Sequence, residues 1–263
     1  MRHRPAHGLL AAALLAIGLA ANGCGTSTST TSPLTPLDQT SADDLAMQAG
    51  LALNTLELDV AGAAGSLAGP SGMRPAITPF AALWDTTITG EGFTFYVSRE
   101  FYDAQGARLP DYGPDAARMV WRSRIIGSYA SELDTVAVAH ATVLDFTGIQ
   151  PEDTASTVSG TALDTLQNIY RSYDGSTWRC FHWKSVLTIT DAVISRSREW
   201  PLSGRLAFAV KADRLRSNDV RDVDAHLVAS VVITFNGTSQ PDVVVNGVWH
   251  YRWDMQYGTI IRA

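Results

Sequence analysis

Long apolar runs are scarce in this sequence. The uninterrupted one, Gly8 to Ala21, reads GLLAAALLAIGLAA and stops at 14 residues, short of the ~20 that a helix needs to span a bilayer. Catalytic signatures are missing as well. There is no G-x-S-x-G, H-E-x-x-H, S-x-x-K, P-loop or G-x-G-x-x-G, so nothing warrants naming an enzyme class. A basic excess is also absent: 20 Lys and Arg stand against 26 Asp and Glu, a formal charge of −6. The first 23 residues hold Arg2 and Arg4 and no acid, which leaves −8 on the remainder. The stretch from Arg196 to Arg221 is interrupted by Glu199, Asp213 and Asp219. Such a balance lacks the electrostatic footprint of nucleic-acid binding. No repeat of fixed period occurs, which argues against a propeller or solenoid. What remains is ordinary globular composition, 46% hydrophobic and 17% charged, long enough for one large β domain or two small ones.

The amino terminus is organised. Met1 to His7 is a short basic stretch, Gly8 to Ala21 is the apolar run, and Ala21-Asn22-Gly23-Cys24-Gly25 follows. Small residues before a cysteine, directly after an apolar run of this length, resemble the lipobox of bacterial lipoproteins; Ala21 stands where that pattern most often has Leu. The resemblance covers about 25 residues. It implies removal of residues 1–23 by signal peptidase II and a diacylglyceryl thioether on Cys24, and with it a membrane partner. Gly25 is not the Asp that holds such proteins at the inner membrane of enteric-like bacteria, which points to the outer membrane. Residues 24–40, rich in Ser, Thr and Pro, read as a tether with no means of packing. The alternative is plain secretion, with cleavage near Ala21 and an incidental cysteine. If lipid occupies Cys24, the one other cysteine, Cys180, has no intrachain partner. An exported body without disulfides rests on its core, and ~240 residues suffice for one. Cys180, inside Trp178-Arg179-Cys180-Phe181-His182-Trp183, reads as a buried structural thiol.

Residues 41–263 read as one helix followed by antiparallel sheet. Ser41 is the candidate N-cap, with Asp43 and Asp44 in the first turn. Leu45, Ala49, Ala52, Leu56 and Val60 recur at helical spacing and share a face. From Phe80 the period becomes two. Strands are expected at Phe93–Tyr102, Met119–Ile126, Thr135–Phe146, Thr154–Ala162, Thr165–Tyr173, Thr177–Thr190, Gly204–Ala212, Asp224–Phe235 and Val243–Trp253. Asp174-Gly175, Asn236-Gly237 and Asn246-Gly247 are tight-turn signals. Short connections of this kind join antiparallel neighbours, because parallel pairing needs long crossovers. The expected fold is mainly all-β: an antiparallel meander of about nine to ten strands, curved or closed into a barrel, with the helix packed on it. A membrane-spanning barrel fits poorly. Thr177, Arg179, Phe181, Trp183 and Ser185 share one face and Trp178, Cys180, His182 and Lys184 the other, and neither face suits lipid throughout.

Few residues suggest chemistry. In an extended chain Asp222, Asp224 and His226 point to one face, about 7 Å apart at successive positions. Two carboxylates and an imidazole are able to hold a divalent metal, although acids are also common where a polar loop enters a strand. His140, His182 and His250 each sit mid-strand beside apolar residues. Seven tryptophans accompany eight Phe and eight Tyr. They serve either as core and cross-strand packing or as the lining of a concave sheet that binds an apolar ligand, with Trp121, Trp183 and Trp249 as the candidate lining. No cofactor is expected. The reading is a membrane-anchored binding or envelope-structural module without enzymatic activity, partnered by an envelope protein or a hydrophobic small molecule. A lipid carrier or sensor is the alternative, and a metal-dependent hydrolase the third.

Overall fold

The amide of Ser41 donates to Asp38 Oδ1 at 2.7 Å, so Asp38, and not Ser41, caps the helix. In the computed structural model, which describes residues 34–67, 86–90, 92–130, 134–171, 178–198, 200–215 and 223–263, helix α1 runs Gln39–Leu67, 29 residues and about 43 Å. Capping three residues earlier moves Asp43 and Asp44 out of the first turn. Both hold arginines instead, as described below. Leu45, Ala49, Ala52 and Leu56 are buried as their spacing predicts, and Val60 packs against the same core. Burial extends well beyond that stripe: of residues 41–49, all but Asp43 and Met47 are buried. The helix is enclosed on most sides.

The sheet encloses it. Twelve strands follow: β1 Thr86–Gly90, β2 Phe93–Tyr102, β3 Arg108–Leu109, β4 Arg118–Ala130, β5 Asp134–Thr147, β6 Ala155–Arg171, β7 Trp178–Ser195, β8 Ser203–Leu215, β9 Val223–Thr234, β10 Asp242–Val245, β11 Trp249–Asp254 and β12 Thr259–Arg262. All but β3 lie side by side in chain order, and β3 pairs with β2. Every pairing is antiparallel. Among the described residues β1 and β12 do not pair, so the meander is an open, curved sheet.

The sequence reading did not expect β1, β3 or β12, and it divided two other stretches differently. Thr154–Ala162 and Thr165–Tyr173 are one strand, β6. No turn residue interrupts it, and the buried alternation runs on through Ala162, Asp164 and Leu166. Conversely, Val243–Trp253 is two strands. Asn246 and Gly247 both take positive φ, 49° and 70°, the backbone of a type I′ hairpin turn. Asp174-Gly175 lies outside the described residues.

One face of the sheet and the helix share a single core, from Phe101 and Met119 through Leu144, Leu187 and Phe208 to Tyr251 and Trp253. Gly50 admits Trp253 against the helix backbone: a Cβ there would stand 2.1 Å from the indole. The chain entering α1 is tied as well. The Thr35 amide donates to the His226 carbonyl at 2.9 Å, and the His226 amide to Thr35 Oγ1 at 3.0 Å. This covers part of the β9 edge, where β10 pairs only with residues from Val231 to Thr234.

Candidate functional site

Asp59 lies three residues after Leu56, on the helix face that meets the sheet. An isolated carboxylate buried there would be costly, and it is not isolated. Asp59 Oδ2 is 2.7 Å from His140 Nε2 and accepts from Thr142 Oγ1 at 2.8 Å, while Trp121 Nε1 donates to Oδ1 at 3.4 Å. On the far side of the ring His140 Nδ1 is 2.5 Å from Asp164 Oδ1. Ser185 Oγ donates to Asp164 Oδ2 at 3.3 Å and accepts from Trp183 Nε1 at 3.0 Å. Burial alone would push the His140 pKa down; the hydrogen bonds and charges of Asp164 and Asp59 outweigh it and raise it from 6.5 to about 9. The imidazolium therefore bridges two carboxylates at neutral pH, and the remaining acceptors are met by Trp, Thr and Ser donors. The His140 side chain is fully buried. This chain joins α1 to β4, β5, β6 and β7.

A second polar tie sits near the helix start. Arg214 Nη1 donates to Asp44 Oδ2 at 3.0 Å and to Ser41 Oγ at 3.1 Å, all three buried. At the rim Asp43 pairs with Arg262 and accepts from Tyr251 Oη at 3.0 Å. The Arg262 hydrogen bond holds the Asp43 carboxyl below its ordinary value despite partial burial.

These contacts locate the residues singled out by sequence. Trp121, Trp183 and Trp249 do share one face of the sheet, the one that α1 covers. Trp121 and Trp183 are buried and act as donors within the polar chain; Trp249 is half-buried against the core. A void of about 20 Å³ lies beside Trp121, between Asp59 and Gly62 of the helix and Phe95, Val97, Ser123 and Ile125 of the sheet. Asp222 and Cys24 lie outside the described residues, as do the side chains of Asp224 and Cys180. His226 Nδ1 is 2.8 Å from Asp213 Oδ1 of the adjacent strand. Among the described residues no three His, Cys, Asp or Glu side chains converge as metal ligands. His140 faces the helix; His182 on β7 and His250 on β11 face the opposite side four strands apart, so the mid-strand histidines do not meet.

An open concavity of about 650 Å³ lies on that opposite side. Register builds it from two adjacent rows across β4 to β9. One row is Ile126, Ala139, Thr165, Lys184, Lys211 and Val228; the other is Arg124, Ala141, Leu163, Val186 and Ala209. Five inter-strand steps of about 4.8 Å make it ~24 Å long. Alternation places polar side chains on a solvent face, yet Leu163 and Val186 are 42% and 49% exposed here, and Val228 and Val143 are similar. Lys184 and Lys211 are direct cross-strand partners, a like-charge pair that works against sheet stability. Neither lysine, nor Arg124, has a carboxylate partner among the described residues. The nearest acid along the face, Asp213, is engaged by His226. The backbone of β5, β6 and β7 closes the floor, and the alternate side chains His140, Asp164 and Ser185 point away to the helix.

The sequence reading missed this trough. Its signal was present: apolar Val143, Leu163, Val186 and Val228 occupy the strand positions that alternation leaves for polar residues. The signal for Asp59 was an acid at apolar helical spacing. Comparison with protein families, with curated proteins and with solved structures finds no match for this chain.

Proposed function

We propose that this chain is an exported protein, lipid-anchored at Cys24 and most at home on the outer membrane, that works as a non-enzymatic binding module through the outward face of its sheet. The observation that carries the binding reading is the trough. Leu163 and Val186, direct cross-strand partners, and Val228 are left in solvent on the outward face, while Trp121, Trp183, Phe208, Tyr251 and Trp253 are buried on the other. A trough of about 650 Å³ falls in the range of small-molecule sites, and apolar walls with a few convergent charges are what such sites offer. Behind the trough, β5 and β6 are tied to the helix through His140, which bridges Asp164 and Asp59. The anchor reading rests on the lipobox resemblance and the polar tether. The described residues begin at Leu34, and the Thr35 amide bonds to the His226 carbonyl, two positions along β9 from Val228.

Two measurements test the parts separately. In a diderm host fed labelled palmitate, the parent chain should take up label and partition with membranes, and Cys24→Ser should do neither; equal behaviour of the two removes the anchor. For the trough, an uncharged hydrophobic dye such as Nile red should show saturable fluorescence enhancement that Val186→Asp and Leu163→Asp each abolish. Both positions are exposed, so unchanged circular dichroism should accompany the loss. Dye binding that ignores both substitutions, or no dye binding, would remove the trough as a binding surface.

A further inference from the structure

We infer that the trough takes an anionic single-chain amphiphile, with its acidic head held between Lys184 and Lys211 and its acyl chain laid across β7 to β4. This rests on the binding reading above and gives it a ligand class. The cations carry the choice of head. Two ammonium groups stand on directly paired strand positions, where like charges disfavour the pair, and no described carboxylate forms an ion pair with either. A carboxylate or phosphate placed between them removes that repulsion and gains two charge-assisted hydrogen bonds. The protein as a whole is acidic, so a cationic strip on this face is selective for an anion rather than a general property of its surface.

The floor carries the choice of tail. From the lysine pair toward β4 the second row offers Val186, Leu163 and Ala141, with Ile126 beyond on β4, over three inter-strand steps or about 15 Å. Alanines at 139, 141 and 209 lower the floor between larger neighbours, which suits a narrow chain better than a broad ring system. The far end carries Arg124, whose aliphatic stem extends the apolar path before its charge reaches solvent. An uncharged hydrophobe uses only the floor, and a small anion uses only the lysines. A free fatty acid and a lysophospholipid share the required chemistry and differ in head.

The test is calorimetry on the full chain carrying Cys24→Ser, so that no acyl group of its own competes. The probes are dodecanoate, dodecyl phosphate, uncharged monododecanoylglycerol and inorganic phosphate. Both anionic amphiphiles should bind at least tenfold more tightly than the glycerol ester, and free phosphate should give no heat. The double variant Lys184→Gln with Lys211→Gln should bring the anions to the level of the ester and flatten their salt dependence, leaving the ester unchanged. Val186→Asp should weaken all three amphiphiles. Each methylene removed from the chain should cost two- to fourfold. A preference for dodecanoate over dodecyl phosphate assigns the fatty-acid source, and the reverse the phospholipid source. Equal binding of charged and uncharged amphiphiles overturns this inference and leaves the binding module standing. Failure of every amphiphile overturns both.

Discussion

A single buried imidazole shows how this protein tolerates charge in its core. His140 has no access to solvent, and its two carboxylate neighbours come from residues 81 positions before it and 24 after it. A group whose pKa rises on folding holds its proton more tightly in the folded state. The stabilisation is therefore complete below the ordinary value of 6.5 and is lost as pH rises through about 9. The size of that shift corresponds to about 3 kcal/mol. Urea unfolding of the parent should show stability falling across this window, and His140→Gln should lose that slope. The variant should also be less stable at neutral pH by about 3–5 kcal/mol, because two carboxylates stay buried without the cation between them. The same slope in both proteins would mean that His140 is not the titrating group.

At the scale of the element, α1 is a helix chosen for thinness. Ala42, Ala46, Ala49, Ala52 and Ala63 are all buried, and Gly50 lets the Trp253 ring reach the backbone. Small residues allow the sheet to close in on a helix that is buried on most sides, and the three leucines Leu45, Leu53 and Leu56 supply about 1.5–3 kcal/mol each of burial. Direction and depth are set by polar ties at Asp43, Asp44 and Asp59, spread over more than four turns. Gly50→Ala separates packing from propensity. In an exposed helix it would stabilise by about 1 kcal/mol. Here the added methyl overlaps a buried indole, so a net loss of about 1–3 kcal/mol is expected in chemical denaturation. Stabilisation by Gly50→Ala would show that Trp253 is free to shift.

Across the whole molecule, helix and sheet each leave a surface that only the other covers. Eleven strands in chain order form mostly local pairings, but their buried face, with Leu144, Trp183, Leu187 and Phe208, has no second sheet over it. Removing residues 34–67 should therefore leave that face open. The shortened chain should sediment as aggregate or bind 8-anilinonaphthalene-1-sulfonate strongly, and adding a peptide of residues 34–67 should reduce both. A soluble, dye-silent, cooperatively folding remainder would show that the sheet does not need the helix.

The meander was legible from sequence because its causes are local. Alternation over Phe93–Tyr102, the turn pair Asn246-Gly247 and the helical stripe from Leu45 to Val60 each act within a few residues, and chain-order pairing follows from short connections. The division of β6 was misread because Leu163 and Asp164 break the simple polar and apolar pattern: Asp164 turns inward to His140 of the neighbouring strand, and Leu163 lies on the exposed face. The candidate site was less legible still. Period two assigns residues to two faces, but it does not say which face a helix will cover, and Trp121, Trp183 and Trp249 lie on the covered one. Asp59, His140 and Asp164 meet only through tertiary contact, and the Lys184–Lys211 pair exists only through strand register. Sequence by itself determined most of the elements and their antiparallel order. The tertiary structure decided which apolar surface became core and which remained open to solvent, because burial of a face depends on what docks against it and not on the pattern of the face itself.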